Sequence, residues 1–273
     1  WRLGNRLMII KDEVFDSMLS SGVLDDFLDL IDPQKFDEFS RSVFITLRNA
    51  VKSIESNADK YYDQSEEQIS TTISLLIEKA GFQTKSEPSN RGHVDIFVEK
   101  DRFKWLIEAK IGYNNQKIFE GLLQLTSRYL TDQRSACLLL YFKKENIKNN
   151  FESWKDYIQN KKWKDYAKMH DILNDCELMY GESIIKPDPF CVGYSFLAGA
   201  KTTAGESLDI YNLGANLHFR PVDSSGRNGV TLRKNQAKLY LEHLYHDKEN
   251  GLPIDEKELY KNLNDYFDFD KKQ

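Results

Sequence analysis

The chain has 273 residues, 40% of them hydrophobic, and a formal net charge of -5 at pH 7. That length builds one large domain or two small ones, and no apolar run approaches the roughly 18 residues of a membrane span. The acidic balance speaks against a protein that coats nucleic acid with positive charge, although an enzyme needs only a local basic groove. Three cysteines, Cys137, Cys176 and Cys191, are scattered and odd in number. They argue against a disulfide framework or a thiolate zinc site and suit a reducing cytoplasm. Trp1-Arg2-Leu3-Gly4 lacks the charged-then-apolar pattern of a signal peptide, so a cytoplasmic protein with no membrane partner is expected.

In chain order, Phe15, Met18, Leu19, Leu24, Phe27, Leu28 and Leu30 fall near helical spacing, and Asp32-Pro33 breaks the pattern. Phe36, Phe39, Val43, Leu47, Val51 and Ile54 form a second stripe, so residues 1–60 are predicted to be a helical N-terminal arm. A third helix over 65–80 opens on a capping box, Ser65 with Gln68, and stops at Gly81. Glu66, Ile69, Ile73, Leu76 and Ala80 share one of its faces. Strands are predicted at 82–86, 94–98 and 103–111, then a helix at 119–130 and a strand at 136–142 apolar enough to be buried on both faces. Helices follow over 150–180 and 228–246, with β-like runs at 188–199 and 208–220 between them and an acidic helical tail after Pro253. The fold class is therefore α/β: a central mixed sheet flanked by helices, with a core over 61–145 and an α+β extension over 146–273.

Charge is unevenly distributed. Residues 143–168 hold eight lysines against four acids, and 247–270 hold eight acids against three lysines. Phe151, Trp154, Tyr157, Trp163 and Tyr166 interleave with those lysines and could offer stacking surfaces to a strand. An amphipathic helix pair with a solvated lysine face is the simpler reading.

The chemistry concentrates in two predicted strands. Side chains alternate along a strand, so Glu108 and Lys110 share one face while Ile107, Ala109 and Ile111 take the other. Charges on so apolar a strand need partners or a metal. Asp95 lies one hairpin earlier, where cross-strand pairing brings its carboxylate beside Glu108. Two carboxylates hold a hard cation such as Mg²⁺ through oxygen, and the Ala109 carbonyl could add a third ligand. A nearby ammonium stabilises charge that builds on a phosphate.

The pattern resembles the PD-(D/E)XK nuclease superfamily, the fold of many restriction endonucleases, Holliday-junction resolvases and repair exonucleases. Its Asp, then Glu-x-Lys on the next strand, is matched by Asp95 and Glu108-Ala109-Lys110, at an Asp–Glu interval of 13. Glu66, with Glu67 as fallback, stands where the family carries an acid on the preceding helix, and Gly81-Phe82 follows that helix. Gln124-Leu125 … Tyr129 resembles a Gln-x-x-x-Tyr element with the Tyr one step late. Val94 replaces the family's Pro before the Asp. The resemblance covers about residues 61–145. It implies a restriction-endonuclease-like core and a Mg²⁺-dependent nuclease, with Mn²⁺ able to substitute. Asp95, Glu108, Lys110, Glu66 and Gln124 are the implied catalytic set, and Asp95, Glu108 and Ala109 the implied metal ligands. The implied partner is nucleic acid, double-stranded DNA first, cut in bacterial restriction or anti-phage defence by a homo-oligomer or a subunit of a larger complex. A catalytically silent binding module and an RNA-directed nuclease are the alternatives. His93, two residues before Asp95, could touch a phosphate or water, but a loop histidine is more often polar surface; His170, His218, His243 and His246 show no metal-ligand spacing beyond the His243/His246 pair, which reads as packing and surface.

Overall fold

The computed structural model describes residues 36–85, 95–100, 103–130, 134–187, 193–221, 229–249, 251 and 253–267, and the backbone alone of 2–3, 6–7, 88–89 and 92–93. The stripe at 15–30, the break at 32–33, Val94, Cys191 and the His93 side chain lie outside the described residues.

Seven strands form one open mixed sheet: β1 (Gln83–Lys85), β2 (Ile96–Lys100), β3 (Phe103–Ile111), β4 (Ser135–Phe142), β5 (Ile185–Pro187), β6 (Tyr194–Lys201) and β7 (Ser207–Asn216). Their spatial order is β1-β2-β3-β4-β7-β6-β5. The β1/β2 and β2/β3 pairs are antiparallel, β3/β4 and β4/β7 are parallel, and β5 and β6 return antiparallel at the far edge. The two parallel pairs put β4 at the centre, and every residue of Ser-Ala-Cys-Leu-Leu-Leu-Tyr-Phe is buried there. The continuous apolar run is thus that of a strand covered on both faces.

Eight helices accompany the sheet among the described residues: α1 (Phe36–Glu55), α2 (Glu66–Lys79), α3 (Asn115–Gln124), α4 (Ile147–Gln159), α5 (Trp163–Met169), α6 (Leu173–Tyr180), α7 (Val230–Glu249) and α8 (Glu256–Phe267). Single turns such as Ala58–Tyr61 are not counted among them. One layer packs Phe39, Val43, Phe44, Leu47, Val51 and Ile54 of α1, with Ile69, Ile73 and Ile77 of α2, onto Trp105, Ile107, Ala109, Cys137, Leu139 and Tyr141. The other packs Ile118, Phe119 and Leu122 of α3, with the aromatic residues of α4 to α6, onto Leu106, Leu138, Leu140 and Phe142. The odd and even residues of β3 and β4 therefore serve opposite layers, as the period of two requires.

Two segments sit differently from the sequence reading. Residues 36–55 form a layer on the sheet rather than an arm, because their apolar stripe is buried against residues of β3, β4 and β7. The sheet also continues past residue 145: β7 pairs with β4 from Asp209↔Ser135 to Asn216↔Phe142. The lysine-rich helices bury Phe151, Trp154, Tyr157, Trp163 and Tyr166 in the core. Trp154 Nε1 donates to Asn212 Oδ1 at 2.9 Å, and the Trp163 ring stacks on Phe119. These rings have no face left for a base, so the simpler reading of that stretch holds.

Candidate active site

β3 runs four residues beyond its last pairing with β2, Ile96↔Ile107. A strand edge left open this way exposes backbone N–H groups that need acceptors. Two carboxylates supply them: Ala109 N donates to Asp95 Oδ2 at 2.8 Å, and Ile111 N donates to Glu66 Oε2 at 2.8 Å. Asp95 immediately precedes β2, so the hairpin delivers it to this edge. Glu66 is delivered by the capping box, in which Gln68 N donates to Ser65 Oγ at 3.2 Å and Ser65 N donates to Gln68 Oε1 at 2.9 Å. An acid in the first turn also suits the positive end of the helix dipole. Glu67 is exposed, which settles the choice between the two helix acids by position.

Glu108 and Lys110 share the β3 face opposite Ile107, Ala109 and Ile111, as their spacing predicts. Lys110 Nζ lies 2.9 Å from Glu108 Oε1, 3.1 Å from Glu66 Oε1 and 4.0 Å from Asp95 Oδ2. One ammonium thus faces three carboxylates. The Glu108 side chain is only 2% exposed; its second oxygen, Oε2, is buried and meets no N–H or hydroxyl, and the Asp95 carboxyl stands within hydrogen-bond reach of Glu108. Burial, with Asp95 beside it, pushes the Glu108 carboxyl up to about 8 despite its contact with Lys110. Burial also raises Asp95, against the opposing effects of Lys110 and the Ala109 N–H. For Lys110 burial works to lower the pKa, but Glu108, Glu66 and Asp95 outweigh it and the net shift is upward, so the ammonium stays charged.

The site is short of positive charge and holds a buried carboxylate oxygen that no N–H or hydroxyl reaches, a combination that costs free energy unless a cation completes it. Oxygen-only donors suit a hard ion. No group of three or more His, Cys, Asp or Glu side chains is arranged to hold a metal among the described residues. The fitting set is the Asp95/Glu108 pair with the Ala109 carbonyl, because Glu66 is already engaged by Lys110 and the Ile111 N–H.

α3 supplies the opposite wall. A Cβ on Gly121 would stand 2.5 Å from Lys110 Cγ, so the missing side chain makes room for the lysine stem. Gln124 lies one turn further along the same face, half-buried, with no side-chain hydrogen bond among the described residues. α3 then passes into a π turn over Leu125–Tyr129, in which Leu130 N donates to Leu125 O five residues back. Such a turn accommodates one extra residue, so position i+5 takes the face that i+4 occupies on an α-helix. Tyr129 therefore returns to the Gln124 face, and the one-step displacement in the sequence is absorbed by the backbone. The Tyr129 phenol is raised by burial first and then by Glu108, with Asp95 adding to it, which puts it within reach of the carboxylates' field. Gly121, which makes room for the Lys110 stem, carries one signal in the sequence, a glycine inside an amphipathic helix.

Of the histidines, His243 is buried and His246 contacts Glu249 at 3.1 Å. No helix among the described residues is long and apolar enough to cross a membrane. Comparison of the chain with protein-family models, curated proteins and solved structures gives no match.

Proposed function

We propose that this chain is a metal-dependent nuclease that hydrolyses phosphodiester bonds of DNA, with Asp95, Glu108 and Lys110 as its catalytic set. The observation that carries the reading is the buried Glu108 Oε2, which no N–H or hydroxyl reaches, beside Asp95 and Lys110, where a hard cation would balance the excess of carboxylates. The order α2-β1-β2-β3-α3-β4, with antiparallel, antiparallel and parallel pairing, supports a restriction-endonuclease-like core. It is the element order that the motif resemblance implies.

Asp95 and Glu108, with the Ala109 carbonyl, would hold Mg²⁺ or Mn²⁺. Such an ion, when bound, polarises a phosphate and lowers the pKa of a water. Asp95 is fixed in orientation by the Ala109 N–H. Lys110 offers its ammonium to phosphate oxygens as negative charge grows on them. Glu66 positions that ammonium and has no need to touch substrate. Duplex DNA as substrate, a role in restriction or anti-phage defence, a cytoplasmic setting, and function as a homo-oligomer or complex subunit belong to the same proposal and rest on the resemblance.

The test is incubation with plasmid DNA, linear duplex and RNA in Mg²⁺, Mn²⁺ or EDTA, beside Glu108→Ala and Lys110→Ala. Metal-dependent cutting of DNA that both variants lose is the expected result. Preferential cutting of RNA would move the substrate. Salt-dependent binding without cutting would make the chain a binding module.

A further inference from the structure

A cavity of about 440 Å³ lies between the α7/α8 helix pair and the segments that follow the carboxyl ends of β4 and β7. That volume falls in the range of small-ligand sites and is far too small for a base-paired duplex. It adjoins the candidate active site. Lys143, on its floor, donates to the Gln64 carbonyl two residues before Glu66. Tyr113, two residues after Ile111, accepts at its carbonyl from Lys144 and packs its ring against His243 at 5.0 Å.

Three chemistries converge on this cavity. Lys143 and Arg233 supply positive charge; burial draws Lys143 down to about 8, still charged at neutral pH, and Arg233 is exposed and forms no ion pair among the described residues. Two of the acids in the wall are already matched, Glu145 by Arg220 at 2.8 Å and Glu258 by Lys261 at 3.0 Å. Phe219 and Tyr240, both half-buried, supply aromatic surface. His243 supplies an acceptor. It is 5% exposed, and its Nδ1 is 2.6 Å from the Leu239 carbonyl, which can only accept, so Nδ1 carries the proton. Burial, with Lys144 and Lys143 nearby, holds its pKa down to about 4, so Nε2 is a lone pair at neutral pH. That Nε2 is buried and has no partner.

A phosphodiester, which carries no O–H, would satisfy the cations but leave Nε2 unmatched. A group that presents phosphate, a flat ring and an N–H or O–H donor satisfies all three. We infer that this cavity seats one or two unpaired nucleotides of the strand that the neighbouring site cuts, with phosphate on Lys143 and Arg233 and a base or sugar donor on His243. Arg233 and His243 are ten residues apart on α7, about 15 Å along the axis, a span that suits more than a single nucleotide. Cationic and aromatic groups that line one groove are a means of holding single strands. The inference rests on the nuclease reading and narrows its substrate to DNA with a single-stranded stretch beside the cleavage point.

The test measures binding in EDTA, where no cutting interferes. A blunt duplex, the same duplex with a three-nucleotide overhang, and dAMP are titrated against the wild-type protein, Arg233→Glu and His243→Phe. The expected result is about tenfold tighter binding of the overhang than of the blunt duplex, competed by dAMP. Arg233→Glu should erase that preference, an exposed change that leaves the fold intact. His243→Phe should weaken overhang binding with little change in salt slope, whereas Arg233→Glu should lower the slope by about one or more. Equal binding of blunt and overhang DNA, or an unchanged preference in Arg233→Glu, overturns the inference. dAMP binding that does not compete with the overhang also overturns it and assigns the cavity to a free nucleotide. Failure of the nuclease reading shows separately, as absence of cutting in Mg²⁺ while overhang binding persists.

Discussion

Glu108 combines the two properties that define this site, deep burial and a second carboxyl oxygen that no N–H or hydroxyl reaches. Its folded carboxyl titrates near 8 against a usual 4.5, so without metal the folded state holds a proton that the unfolded chain releases. Between those values stability must fall as pH rises, by on the order of 1.4 kcal/mol per unit at the steepest. In EDTA the wild type should therefore lose Tm from pH 5 to 8, while Glu108→Gln, which cannot ionise, should stay flat and overtake it at the alkaline end. Parallel Tm profiles for the two proteins would show that the carboxyl is ionised in the fold. Mg²⁺ should raise the wild-type Tm most at pH 8, where the least proton has to be displaced. Lys110 keeps Glu66 and Asp95 beside it even where Glu108 is protonated, so its ammonium survives across the same range and any alkaline loss of activity must come from another group.

α3 makes the case at the level of elements. Gly121 lets the lysine stem lie against the helix, so Gly121→Ala must push Lys110 or α3 aside. Alanine also favours helix by up to about 1 kcal/mol. Cleavage should thus drop tenfold or more while Tm changes by only a few degrees; equal rates in the two proteins would remove Gly121 from the site. The π turn is open to a similar test. Deleting the exposed Ser127 should convert it to an α turn, keep Gln124 and Tyr129 on one face, and leave cooperative unfolding intact, as followed by circular dichroism. What was legible in the sequence follows this division between local and distant causes. The capping box, the β2–β3 hairpin, and the Glu108/Lys110 face are set by residues a few positions apart, and pattern reads them directly. Gly121 against Lys110, the engagement of the Ile111 N–H by Glu66, and the pairing of β7 with β4 depend on segments far apart in the chain. Periodicity carries no signal for such contacts.

Across the whole molecule, the helices after residue 229 are tied to the site through Tyr113 and Lys144. The Tyr113 hydroxyl contacts Glu242 at 3.4 Å, its ring packs on His243 and His246, and Lys144 reaches Asp247 at 3.3 Å. Removing the ring with Tyr113→Ala should cost about 1–3 kcal/mol. Hydrogen exchange should show lost protection in α7 while β4 keeps its own. Uniform loss across both would mean that α7 and the sheet unfold as one unit. The central claim, that Asp95, Glu108 and Lys110 form a metal-dependent phosphodiesterase, is tested most directly by one rate comparison. Single-turnover cleavage of a labelled DNA in Mg²⁺ is measured for the wild type and for Glu108→Gln, both shown to be folded. The account predicts a fall of about 10³-fold or more on loss of that carboxylate. A variant that cuts within about twofold of the wild type would contradict it.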